Sequence, residues 1–138
     1  MKCLLDTNVV LDVLLDRSPW SAEMRPLWLA SHRGEITAAL TATSVTNIFY
    51  IARKLMGLER ARLSVQLCLD ALEVLPVDAS ALELAVSLQG SDFEDDVQIA
   101  CAQQGQIDLI VTRDPAGFAA SPIRCVSPAQ ATALLASK

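Results

Sequence analysis

Histidine, paired cysteine and surplus positive charge are all scarce in this 138-residue chain, and each shortage removes a class of function. The one histidine, His32, lies in ASHRG at an expected helix end. A contact with the helix dipole explains it better than a Ser-His-Asp or Cys-His mechanism. The four cysteines, Cys3, Cys68, Cys101 and Cys125, are scattered through apolar segments with no CxxC pair. They read as buried reduced thiols rather than a zinc site or a disulfide framework. A glycine-rich phosphate loop is also missing, which weakens any phosphotransfer reading.

The formal charge of -5 argues against a protein that holds nucleic acid through a basic face. It still allows a nucleic-acid enzyme whose negative charge is concentrated at a metal site, and it leaves room for a basic protein partner. Long apolar runs are absent too. Asp6 and Asp12 interrupt MKCLLDTNVVLDVLLD, and nothing approaches the roughly 18 apolar residues of a membrane span. The expectation is a cytoplasmic protein with no membrane association.

What remains is 52% hydrophobic and 20% charged, the balance of a folded core, at a length suited to one domain over residues 1–138. No repeat or long linker divides it. KCLL at 2–5 predicts a buried strand ending at Asp6, followed by a helix over TNVVLDVLL. Ser18-Pro19 supplies an N-cap and first-turn proline for a helix over 19–32, ended near Gly34. Residues 36–40 suggest a second strand, and Ser44 can cap the helix SVTNIFYIARKLMG. A second helix over 59–72 pairs with it as a hairpin around Gly57. A strand at 73–76 and a helix over 78–88 follow. The next helix spans 93–104 and ends at Gly105. Strands at 108–112 and 123–126 and a last helix from Ser127-Pro128 complete the chain. Short strands alternating with helices predict an α/β domain of three layers, with a mainly parallel sheet of about four to five strands.

In such sheets ligands gather at the carboxyl ends of the strands. Asp6 follows the first strand and Asp114 the strongest one. GSDFEDD packs four carboxylates, Asp92, Glu94, Asp95 and Asp96, into five residues at the start of the helix that feeds that strand. Each acid has a plain alternative. Asp6 can cap a helix, Asp92 with Asp95 or Ser91 with Glu94 spells a capping box, and Asp114-Pro115 can be a turn. Independent caps need not share one sheet edge, however. Several carboxylates brought together there repel unless neutralised, and a hard divalent cation such as Mg²⁺ or Mn²⁺ suits oxygen donors. Asp12, Asp16 and Asp96 are weaker candidates, Asp12 reading as part of a solvated face. Glu94 is expected to point away from Asp92 and Asp95.

LLDTNVVLD, TSVTNIFYIARK, DFEDDVQIACA and IVTRDPAGF resemble, in that order, the successive motifs of PIN-domain proteins. The likeness is greatest to the small prokaryotic members that include VapC-type toxin ribonucleases, and it runs from Met1 to about Val126. It implies a PIN-like three-layer fold and a nuclease that uses Mg²⁺ or Mn²⁺ to hydrolyse RNA. Asp6, Asp95 and Asp114 match the family's first, third and fourth acids and its metal ligands. Asp92 matches an extra acid of the DFED version and joins them as a catalytic candidate. Thr7, Asn8 and Thr112 fall at polar positions that support the ligands or their waters. Ser44 is expected to cap its helix and to neighbour the site. Asn47 stands where many members carry Glu; an amide offers oxygen but no charge.

The resemblance also implies a homodimer and, for a toxin, a cognate antitoxin that blocks the site; the apolar surface expected on the hairpin around 44–72 suits it as a docking region. Arg53, Lys54 and Arg113 are candidates for contacting flanking phosphates, with a solvated helix face as the alternative for the first two. A different reading, supported by Asn47, is a catalytically degenerate PIN-like binding or regulatory module. Metal binding without turnover would distinguish it.

Overall fold

The computed structural model describes residues 1–137. It contains strands β1 (Lys2–Leu5), β2 (Thr37–Thr41), β3 (Glu73–Leu75), β4 (Leu109–Val111) and β5 (Cys125–Val126). The helices are α1 (Thr7–Leu14), α2 (Trp20–His32), α3 (Ala42–Met56), α4 (Leu58–Ala71), α5 (Ala79–Leu88), α6 (Phe93–Gln104) and α7 (Pro128–Ala136). All strand pairs are parallel, in the order β3-β2-β1-β4-β5. The chain winds outward from β1 through β2 to β3, then crosses back to lay β4 on the other side. The order therefore reverses between β1 and β4, where an α/β sheet opens a crevice at its carboxyl edge.

Side chains alternate across the strands and divide the core into two layers. Cys3, Leu5, Ala38, Leu40, Leu109 and Val111 face a cluster that includes Val10 of α1, Met24 of α2, Ile48 of α3, Cys68 of α4 and Ala131 of α7. Leu4, Ala39 and Ile110 face the other way, against Ala81 and Ala85 of α5 and Ile99 and Ala100 of α6. This is the three-layer α/β arrangement expected from the sequence. α6 is buried continuously from Asp96 to Ala102. That burial fixes the helix against the sheet and so fixes whatever its N-terminus carries.

Two caps differ from the sequence expectation. Ser18 does not cap α2: the cap position is Pro19, with no side-chain bond, and the Ser21 N–H is taken by the Arg17 carbonyl at 2.8 Å. Ser44 does not cap α3, because β2 runs straight into that helix without a loop. Thr41, the last strand residue, is the cap, its hydroxyl accepting from the Ser44 N–H at 3.1 Å. The α3–α4 hairpin does turn at Gly57, where φ of +91° demands glycine. Ser127 closes a reciprocal capping box with Gln130 at the start of α7.

Candidate active site

Asp6 is placed by the sheet. Its N–H donates to the Val111 carbonyl at 3.0 Å, extending the β1–β4 pairing one residue past β1. The carboxylate is almost fully buried and makes no helix-cap bond, so the capping alternative fails. Instead Oδ1 accepts from Gln98 Nε2 at 3.0 Å and Oδ2 from the Thr112 hydroxyl at 2.8 Å. The Thr112 hydroxyl in turn accepts the Asp114 N–H at 3.0 Å. The ends of β1 and β4 are thereby tied together through one buried acid.

At the head of α6, Asp92 is the cap, accepting from the N–H groups of Glu94 at 2.9 Å and Asp95 at 3.3 Å. Asp92 itself has extended backbone angles, φ -128° and ψ 115°, so helical spacing counted from it misplaces Glu94. Rather than pointing away, Glu94 reaches back to accept from the Thr7 hydroxyl at 3.1 Å. Thr7 is 2.7 Å from Ser44 Oγ, which accepts from Thr41 at 3.0 Å. Since each hydroxyl carries one proton, the chain runs Thr41 to Ser44 to Thr7 to Glu94 and ends on a carboxylate. Ser44 thus neighbours the site without capping α3.

These segments enclose a cavity of about 370 Å³ lined by Asp6, Asp92, Glu94, Asp95 and Asp114 with Thr7, Asn8, Asn47, Tyr50 and Ile51. Five acids line it, and none of these residues is basic. Gly117 lies beside two of the acids: a methyl group there would collide with Asp95 Oδ2 and come within 3.3 Å of Asp114 Oδ2. Burial, then the negative charges of Asp92, Asp6, Glu94 and Asp114, push the Asp95 carboxyl up to about 7.

The donors are oxygen, their charges repel and none is neutralised from within the lining; that chemistry fits a hard divalent cation. Among the described residues no three His, Cys, Asp or Glu side chains approach closely enough to make a finished metal cluster. The acids surround a cavity rather than a point, and a cation would have to draw them in.

Other acids lie elsewhere. Asp12 is wholly buried against Arg113 and Arg17 instead of lying on a solvated face. Arg113 accordingly turns to Asp12 and does not line the cavity. Asp96 is buried with Oδ2 accepting the Gly90 N–H at 2.9 Å, where the missing Gly90 side chain leaves it room. Arg53 and Lys54 are exposed in the last turn of α3. Sequence reasoning overlooked Gln98 and Gly117. Gln98 stands three residues after Asp95, a spacing that puts both on one face of α6; Gly117 carried no such signal.

A family model described as PIN domain matches residues 2–116. No curated protein sequence matches the chain. Among solved structures, the DNA-bound VapBC of Salmonella typhimurium is similar with a TM-score of 0.73 and 20% identity, over 93% of this chain and 98% of that one. FitAcB of Neisseria gonorrhoeae gives a TM-score of 0.70 and 21% identity, over 91% and 97%. VapC20 of Mycobacterium tuberculosis, a sarcin-ricin loop cleaving toxin, gives 0.71 and 14%, over 86% and 94%. At these identities the likeness is one of fold.

Proposed function

We propose that this chain, which belongs to the PIN-domain family, is a Mg²⁺- or Mn²⁺-dependent endoribonuclease and the toxin of a toxin–antitoxin pair. The observation that carries the reading is the cavity with five carboxylates and no basic lining residue, set at the switch point of the sheet. Asp6, Asp95 and Asp114 would hold the cation, with Asp92 at the same rim. When bound, Mg²⁺ or Mn²⁺ offsets phosphate charge and lowers the pKa of a coordinated water for phosphodiester hydrolysis.

The chain's own residues do the positioning. Gln98 and Thr112 fix both oxygens of Asp6, and Thr112 also sets the backbone at Asp114. Asn8 and Asn47 offer neutral amides to phosphate or ribose oxygens. Arg53 and Lys54, exposed less than a turn beyond Tyr50 and Ile51, supply cations for flanking phosphates.

Partners follow from the surface of the α3–α4 hairpin. Tyr50, Leu55, Leu63 and Leu67 are all more than half exposed, an apolar stretch suited to an antitoxin or a second copy of the chain. Tyr50 also lines the cavity, so a segment docked there would reach the acids and block them. Among the described residues no helix is long and apolar enough to cross a membrane.

A second reading, a binding module without turnover, is favoured by Asn47, which lines the cavity with an amide where the family resemblance leads one to expect a carboxylate. The two are separated by incubating a mixed RNA panel, including an RNA with the sarcin-ricin loop, with Mg²⁺ or Mn²⁺. Cleavage stopped by EDTA and by Asp95→Asn is expected. Mn²⁺ binding with every RNA left intact would favour the binding module.

A further inference from the structure

Arg113 sits between two residues of the site, Thr112 and Asp114, yet its own side chain leaves the site. Nε donates to Asp12 Oδ2 at 2.6 Å and Nη2 to Oδ1 at 3.1 Å, a two-pronged grip on a carboxylate with no exposed surface. Arg17 Nε lies 3.1 Å from the same acid. The guanidinium carbon of Arg113 also stacks 4.0 Å above the Trp20 ring at the start of α2. A planar, forked, charged group held along one edge and on one face has little freedom.

Asp12 belongs to α1, and Asp6 stands at the head of that same helix. The helix and the 112–114 segment are therefore fastened twice, at Asp6–Thr112 and at Asp12–Arg113. The two fastenings are six residues apart, roughly 9 Å along a helix axis. A single fastening would leave the segment free to pivot; two fix its direction. Asp114 depends on that direction, because its backbone is held by Thr112 at the N–H and by Gly117 at the carbonyl, while its carboxylate makes no cap bond.

We infer that the Arg113–Asp12 pair is a latch that positions Asp114 and Thr112, making Arg113 a positioning residue for the acid cavity and not a phosphate contact. The inference rests on the cation-dependent reading of those acids. It assigns work to two residues outside the cavity and explains why the strongest charge pairing in this region lies one residue from an unpaired acid.

The test uses Arg113→Lys, which keeps the charge but loses the fork, and Asp12→Asn, which keeps the shape but loses the charge. Both are studied at a temperature where circular dichroism shows the native fold. Hydrogen exchange at the Asp114 N–H should quicken at least tenfold while that of the central β1 strand stays protected. Mn²⁺ affinity, measured by calorimetry without RNA, should fall about 10–100-fold, the usual cost of losing support behind a metal ligand. Unchanged exchange at Asp114 in both variants would overturn the latch. Faster exchange with undiminished Mn²⁺ affinity would overturn its role in positioning the acids. Should the unaltered protein bind no Mn²⁺, the cation reading itself fails, and the latch is then judged on exchange alone.

Discussion

Asp12 has two guanidinium groups against it, while Asp95, across the same end of the sheet, has four carboxylates and, among the described residues, no cation. The fold draws Asp12 wholly out of water and Asp95 partly. At Asp12 the chain supplies the counter-charge itself and the result is a rigid join between α1 and the segment after β4. Around Asp95 it withholds counter-charge, although Arg113 is only one residue from Asp114. On the proposed reading, the charge left unmet at that spot is what a cation from outside would answer. Charge drawn from water in this protein thus serves structure where it is paired and, on the proposed reading, would be available to chemistry where it is not.

The sharpest way to break the comparison is Asp12→Ala. Removing one member of a buried pair leaves the other charge stranded, and the cost should be about 3–5 kcal/mol. Thermal unfolding followed by circular dichroism would register it as a large drop in Tm; an unchanged Tm would mean the pairing contributes nothing. On the unpaired side, Gly117→Ala should act on activity rather than stability. Its methyl meets the end of the Asp95 side chain, which can swing away but then leaves its working position. Cleavage should fall on the order of 100-fold, the penalty expected for a misplacement of about 1 Å. Wild-type turnover in that variant would show that the placement of Asp95 is uncritical.

A third substitution should have the opposite sign from Asp12→Ala. Asp95 is raised from 3.8 to about 7 in the folded chain. Its contribution to stability is therefore complete below its ordinary pKa and is lost as pH climbs through about 7. Without metal, Asp95→Asn should flatten that decline. At pH 8 it should raise Tm by roughly 2 °C, the size expected from relieving about 0.5–1 kcal/mol of repulsion. The gain should vanish at pH 4, and differential scanning calorimetry across that range would show it. A variant less stable at pH 8 would mean the acids do not repel. Smallest of all is the effect of neutralising Arg53 and Lys54. If either side chain touches a phosphate, its removal should lower the slope of log affinity against log salt for single-stranded RNA by about 0.7. A slope left unchanged would assign both to solvated surface.

The sequence made the paired and unpaired acids unequally legible. Asp6, Asp95 and Asp114 could be brought to one edge because strand ends and a helix start obey simple rules, and the parallel sheet follows from alternating elements. Asp12 was misjudged because its partner Arg113 is 101 residues away, and no local pattern announces a pairing of that range. Glu94 was misjudged because helical spacing does not hold across a cap residue. The true cap of α3 was hidden by the absence of a loop between β2 and the helix, which moved the role from Ser44 to Thr41. Gln98 was within reach, since it shares the face of Asp95, but a neutral amide inside an apolar helix draws little notice until its acceptor is seen.

The most direct measurement is a calorimetric titration of metal-free protein with Mn²⁺ at neutral pH, beside Asp95→Asn, Asp6→Asn and the exposed control Asp16→Asn. Saturable binding by the unaltered chain and by Asp16→Asn, weakened at least tenfold in the other two, is the predicted result. Absence of binding, or equal affinity in all four proteins, would contradict the claim that the cavity is built to receive a cation.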